Sequence, residues 1–313
     1  MKYVGIQTQI WNNNLKSTIL LIMFPLVILG LAWLFIYFTR PEHYAISDVN
    51  STFAGAVPWM VGGVLLWFII AWYANTSIIR KATGAKPLER KENKRVYNLV
   101  ENLCIATGMK TPKINIIEDD SLNAFASGIN DKSYTVTLSR GLINKLNDEE
   151  LEAVIAHELT HIRNKDVRLL IVSIIFVGIF AFLVEILLRS FFYSGMRRSR
   201  RADRGRGIYM LIALGLAIAG FLITSLFRFA ISRKREYMAD AGAVQLTRRP
   251  RALASALRKV SQNSRIEAVT RKDVAQLFID NPPEPKKDLF SFFNGLFATH
   301  PPMEKRISVL EQF

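Results

Sequence analysis

Four long apolar runs, at 18–38, 54–74, 168–188 and 208–227, constrain the fold of this 313-residue chain more than any other feature. Each has about the 20 residues that a helix needs to cross the hydrocarbon core of a bilayer. No water reaches backbone N–H and C=O groups at that depth, so each run is expected to be a helix. Half of the residues are hydrophobic, and the excess is concentrated in these runs rather than spread over a soluble core. The first run is not read as a cleaved leader. Its apolar stretch is too long, and a polar segment, 41–53, separates it from the small residues Ala54, Gly55 and Ala56.

The formal net charge of +15 is explained by where the charges lie. Segment 76–95 carries seven Lys/Arg directly after the second run, whereas 41–53 carries none. The positive-inside rule therefore predicts that 41–53 lies outside, with the N-terminus and segment 76–166 in the cytoplasm. Anionic lipid headgroups suit the basic residues, and the chain has no nucleic-acid-binding motif. The one cysteine, Cys104, has no partner for an internal disulfide or a cysteine-based metal site.

Between the runs the pattern changes. Residues 91–107 have helical periodicity, with Val96, Leu99, Val100, Leu103 and Cys104 on one side and Gly108 as a stop. Ile114–Ile117, Ala124–Ser127 and Tyr134–Leu138 read as short strands separated by turn residues, which predicts a small antiparallel sheet. A helix begins after Asn147, a good capping residue, with Asp148, Glu149 and Glu150 in its first turn. Helical patterns follow at 232–247, 250–263 and 303–311, with a Pro-rich turn at 282–285.

The helix after Asn147 carries His157-Glu158-Leu159-Thr160-His161. Residues four apart share a helix face, so both imidazoles can reach one metal ion. Glu158 stands beside them, close enough to take a proton from water at that metal. Catalytic zinc normally has three protein ligands. The chain has four histidines, at 43, 157, 161 and 300. His43 is expected on the far side of the membrane. A metzincin would need a third histidine at position 167, which is Val. A carboxylate is therefore expected as the third ligand. In Glu236-Tyr237-Met238-Ala239-Asp240 the two acids share a helix face, so Glu236 is the candidate ligand and Asp240 the candidate acceptor for a ligand imidazole.

Two apolar runs separate His161 from Glu236, an even number that returns the chain to the same side of the membrane. Segment 189–206, between those runs, holds seven Arg and one acid, Asp203, and full spanning would put it outside. Whether runs three and four cross fully or dip and return is left open. Glu185 is expected to pair with Arg189, one helical turn on. His161 lies six residues before the third run and Glu236 about nine after the fourth, or about 9 and 14 Å along a helix. The site is therefore expected at the cytoplasmic membrane surface, not within the bilayer.

Taken together, the two N-terminal anchors, HELTHIRNKD, SRKREYMADAGAV and the late THPPMEKRI resemble the HtpX-type heat-shock membrane zinc metalloproteases, relatives of the CAAX prenyl proteases. The resemblance covers nearly the whole chain. It implies His157, His161 and Glu236 as zinc ligands, Glu158 as the base and Asp240 as the residue that orients a ligand. It further implies that Leu122–Ala126 is an edge strand receiving substrate backbone, with Asn123 and Ala124 in contact. It also implies that His300 stabilises the tetrahedral intermediate, supported by Arg306, and that the enzyme degrades damaged membrane proteins in a bacterial inner membrane.

The expected fold is a mainly α membrane protein. Four transmembrane or membrane-embedded helices accompany a cytoplasmic α+β gluzincin-like catalytic domain. The divisions are 1–75 and 167–231 for the membrane hairpins, and 76–166 and 232–313 for the catalytic parts. The expected function is zinc-dependent endopeptidase activity in protein quality control, with one Zn2+ per subunit, unfolded or membrane-protein substrates, the lipid bilayer as partner, no nucleic acid, and self-association left open. Alternatives are a narrow-specificity processing or prenyl-protein protease, and a non-catalytic scaffold with a structural metal site.

Overall fold

The computed structural model describes residues 6–196, 204–230, 233–263, 279 and 301–313. Two compact units are present. One comprises 16–73 and 172–228; the other comprises 1–15, 74–171 and 229–313.

The first unit is built from four long helices: α1 (Ile6–Thr39), α2 (Ile46–Thr83), α6 (Asp166–Met196) and α7 (Arg204–Ala230). Three of them contain segments long and apolar enough to cross a membrane: Asn14–Thr39, Ile46–Thr83 and Asp166–Arg189. In α7 the corresponding described stretch is shorter, Ile208–Ile223. Phe24 of α1 stacks on Phe176 of α6 with centroids 4.0 Å apart and meets Phe180 edge-on. A Cβ on Gly220 would collide with Phe180 and Leu31, so this glycine permits close helix packing. Leu26, Leu65, Leu66, Ile69, Ile70 and Leu222 are exposed. An uncovered apolar surface this broad suits lipid, not water. Glu185 and Arg189 form the expected ion pair one turn apart. Part of the Arg-rich segment, 197–203, lies outside the described residues, as does the 282–285 turn.

The second unit holds a four-stranded sheet: β1 (Lys86–Pro87), β2 (Lys113–Ile117), β3 (Ala124–Ser127) and β4 (Thr135–Ser139), in the order β1-β2-β4-β3. The sheet is mixed, which corrects the expectation of an antiparallel one. The hairpin carries β3 to the far side of β4, so β4 sits between β2 and β3. The detour through β3 is long enough to bring β4 back parallel to β2, from Lys113↔Thr135 to Ile117↔Ser139. β3 pairs antiparallel with β4 and is an edge strand. The basic linker also contributes: Lys86 and Pro87 add β1 to the outer side of β2.

Around the sheet lie α3 (Lys94–Thr107), α4 (Arg140–Lys145), α5 (Asp148–Arg163), α8 (Arg233–Thr247), α9 (Pro250–Val260) and α10 (Met303–Leu310). Asn93 caps α3, and Gly108 ends it in the left-handed conformation that glycine adopts most readily. Asn147 and Glu150 form a reciprocal capping box at the start of α5. From Ala153 to Thr160 every residue of α5 is buried. The helix packs against β3, α3, α8 and α9 and forms the centre of this unit.

Candidate metal centre and active site

The motif histidines face one another on successive turns of α5. Their Nε2 atoms are 3.2 Å apart and their ring planes are nearly perpendicular, at 89°. Glu236, near the start of α8, closes the group. Its Oε1 is 3.6 Å from His161 Nε2 and its Oε2 is 3.7 Å from His157 Nε2. Metal bonds of 2.0–2.1 Å in a tetrahedron place ligand atoms about 3.3 Å apart. The two imidazole nitrogens and the Glu236 carboxylate are thus spaced close to what a tetrahedral zinc face requires. Among the described residues this is the group that fits a metal.

The approach of α8 depends on Gly242. A Cβ there would run into the Thr160 side chain of α5. Glycine lets the helix backbones close to this distance and brings Glu236 within reach of the imidazoles.

Each imidazole meets a second carboxylate through its other nitrogen. Asp240 Oδ1 is 3.0 Å from His157 Nδ1. Asp166 Oδ2 is 3.1 Å from His161 Nδ1. These contacts favour a proton on Nδ1 and leave Nε2 free to coordinate. Asp240 stands where the helical spacing predicts, one turn beyond Glu236. Asp166 was not anticipated. Burial by itself disfavours a charged His161, but the Asp166 hydrogen bond and the Glu236 charge outweigh it and push the pKa up to about 9, so a metal taken up at Nε2 would displace a proton there.

Arg306, on α10, is completely buried. It grips Asp240 with two donors, Nε to Oδ2 at 2.8 Å and Nη2 to Oδ1 at 2.7 Å. Burial alone would raise the Asp240 pKa, but Arg306 and then His157 hold it down at about 2. The guanidinium also lies 3.4 Å from Glu236 Oε2 and 3.4 Å from His157 Nε2. The resemblance drew attention to Arg306; its pairing with Asp240 had no local signal, because 66 residues separate the two.

Glu158 is buried beside the histidines. Burial raises its carboxyl pKa above the ordinary range; the two imidazoles and the Ala126 backbone N–H oppose that rise, and Glu236 adds to it. That amide puts β3 in contact with the general-base candidate.

Asn123 and Ala124 are placed at this same strand. Asn123 is 1% exposed, and its side-chain oxygen accepts from the Ala124 N–H at 2.9 Å. The chain's own Ile279 N–H donates to Ala124 O at 3.0 Å and to Asn123 Oδ1 at 3.1 Å. His300 lies outside the described residues.

The description "Peptidase family M48" matches residues 90–313. A protein named Protease HtpX homolog from Bacteroides fragilis is 61% identical over 323 aligned residues, covering 100% of both chains. One of the same name from Dictyoglomus thermophilum is 42% identical over 252 residues, covering 78% of this chain and 80% of that one. Among solved structures, that of S. mikatae Ste24p is similar at a TM-score of 0.46 and 21% identity, over 96% of this chain and 66% of that one.

Proposed function

The chain belongs to peptidase family M48, and from that premise we propose that this membrane protein is a zinc-dependent endopeptidase acting at the cytoplasmic surface of a bacterial inner membrane. The observation that carries the reading is the convergence of His157 Nε2, His161 Nε2 and Glu236 at tetrahedral-ligand separations, with Glu158 on the same helix. A structural metal site has no need of a buried carboxylate like Glu158.

These residues would hold the metal, which supplies a Lewis acid and lowers the pKa of water. The chain's own groups do the rest. Asp240 and Asp166 keep the imidazoles turned with Nε2 toward the centre. Glu158 takes the proton from the attacking water and delivers it to the leaving amine. Its burial makes it a stronger base than an exposed carboxylate, which suits it to both transfers. Arg306 fixes Asp240, and its guanidinium puts positive charge beside the ligand atoms. His300 is assigned to the oxyanion on the resemblance alone. Substrate backbone adds to β3 at Asn123 and Ala124, next to the base.

The catalytic unit combines 76–166 with 232–313, and its orientation follows from the seven Lys/Arg of 76–95. Relatives named Protease HtpX homolog support a protease, and the family resemblance extends that reading to membrane-protein quality control, with damaged or unfolded chains as substrates.

The test pairs metal content with casein cleavage for detergent-purified wild type and Glu158→Gln. About one zinc in each protein, with hydrolysis in wild type and a loss on the order of 10²- to 10⁴-fold in the variant, is expected. Equal cleavage by both would remove Glu158 from the mechanism.

A further inference from the structure

We propose that Asp166 is a positioning residue for the metal centre, acting on His161 as Asp240 acts on His157. The inference rests on the metalloprotease reading above. An acid in the first turn of a helix needs no special role, because it complements the helix dipole. Three observations set Asp166 apart. It is 3% exposed, so its charge is not solvated by bulk water. One oxygen is aimed back at His161 Nδ1, at 3.1 Å. Its backbone C=O accepts from Arg235 Nη1 at 3.2 Å, and Arg235 immediately precedes Glu236.

The route by which Asp166 reaches His161 is also specific. In a continuous helix, residue i+5 is rotated about 140° from residue i and faces elsewhere. Here α5 stops at Arg163, and Lys165 adopts a positive φ of 61°. That conformation is unfavourable for a residue with a side chain. The single left-handed residue reverses the path, so that Asp166 returns to the face of α5 that carries His161. Backbone strain beside a functional side chain persists where surrounding contacts hold it, and the His161 and Arg235 contacts both fall on Asp166. One residue thus links His161 on α5 to the residue preceding Glu236 on α8, and it is also the first residue of α6.

The experiment uses full-length protein in detergent. Zinc affinity is measured by competition with a chromogenic chelator, and ligand geometry by the visible spectrum of the cobalt-substituted protein. Wild type, Asp166→Ala, Asp166→Asn and Asp166→Glu are compared, with helicity followed by circular dichroism. Asp166→Ala is expected to weaken zinc binding about 10- to 100-fold and to shift the cobalt bands, as loss of a ligand-orienting carboxylate does. Asp166→Asn, which keeps the side-chain size, is expected to lose less, and Asp166→Glu to recover most of the affinity. If Asp166→Ala fails to fold, Asp166→Asn carries the test. Wild-type affinity and an unchanged cobalt spectrum in a folded Ala or Asn variant would overturn the inference and leave the metalloprotease reading intact. Failure of wild type itself to bind zinc or cobalt would overturn both.

Discussion

Arg306 and Asp240 form a two-pronged ion pair sealed from solvent, with bonds of 2.8 and 2.7 Å and an arginine of zero exposure. Removing one member of such a pair leaves the other charge buried without its main counter-ion, which costs about 3–5 kcal/mol. Arg306→Met is therefore expected to lower the unfolding midpoint of the purified protein substantially. Arg306→Lys is expected to fall short of rescue, because a point-charge ammonium cannot bridge both carboxylate oxygens in the plane. Chemical denaturation monitored by circular dichroism, alongside zinc content, checks both.

Gly242→Val is expected to push α8 away from Thr160. Overpacking of this kind costs about 1–3 kcal/mol. Its more telling effect is on Glu236, which moves with α8, so zinc affinity is expected to fall even where the protein stays folded. Thr160→Ser in the Gly242→Val background, which removes the methyl that the new side chain meets first, is expected to restore part of that affinity. Chelator competition on the single and double variants reads the outcome.

Glu150 gives the stability of the catalytic unit a pH dependence. Burial raises its pKa, but Lys259, Ser255 and the Asn147 N–H together outweigh burial and leave the carboxyl below its usual value of 4.5. A carboxylate with a lowered folded-state pKa contributes stability that is present above the unfolded value and lost as pH falls through the folded one. Stability is thus expected to decline below pH 4.5. Glu150→Gln, which keeps the capping box, is expected to flatten that acid limb. Midpoints measured from pH 3 to 7 in the metal-free protein test this.

Cys104 is 1% exposed, and burial pushes its thiol above the ordinary range, with Glu101 adding to the rise and Thr111 opposing it. Less thiolate at neutral pH and no access for a reagent both predict slow alkylation of the native protein. Iodoacetamide labelling followed by mass spectrometry is expected to show full modification after unfolding and little before it.

Much of the local structure was legible because local rules govern it. Asn147 and Gly108 mark helix ends within one turn of their own sequence. The His157–His161 pairing and the Glu236-to-Asp240 spacing follow from helix geometry alone. The sheet is mixed rather than antiparallel because β4 inserts between β2 and β3, a strand order that no turn signal marks. Asp166 escaped because its contact depends on a left-handed residue at Lys165, and helical spacing argues against that contact. Ile279 lies 155 residues from Ala124, and no periodicity connects them. The role of Gly242 emerges only when α8 is laid on α5, since a glycine in a helical pattern is otherwise merely unfavourable.

Strand β3 has an energetic consequence for any polypeptide docking on it. The Ala124 N–H, the Ala124 carbonyl and the Ala126 N–H already have protein partners in Asn123, Ile279 and Glu158. An incoming backbone must exchange hydrogen bonds with this edge rather than add them to it, and such exchange is close to neutral. Discrimination between one peptide and another then falls to side chains and to the apolar area they bury. A folded protein has no such segment to spare, while an unfolded chain presents many. An edge whose groups are largely partnered also offers less to a second copy of the enzyme, which limits strand-to-strand aggregation between molecules crowded in one membrane.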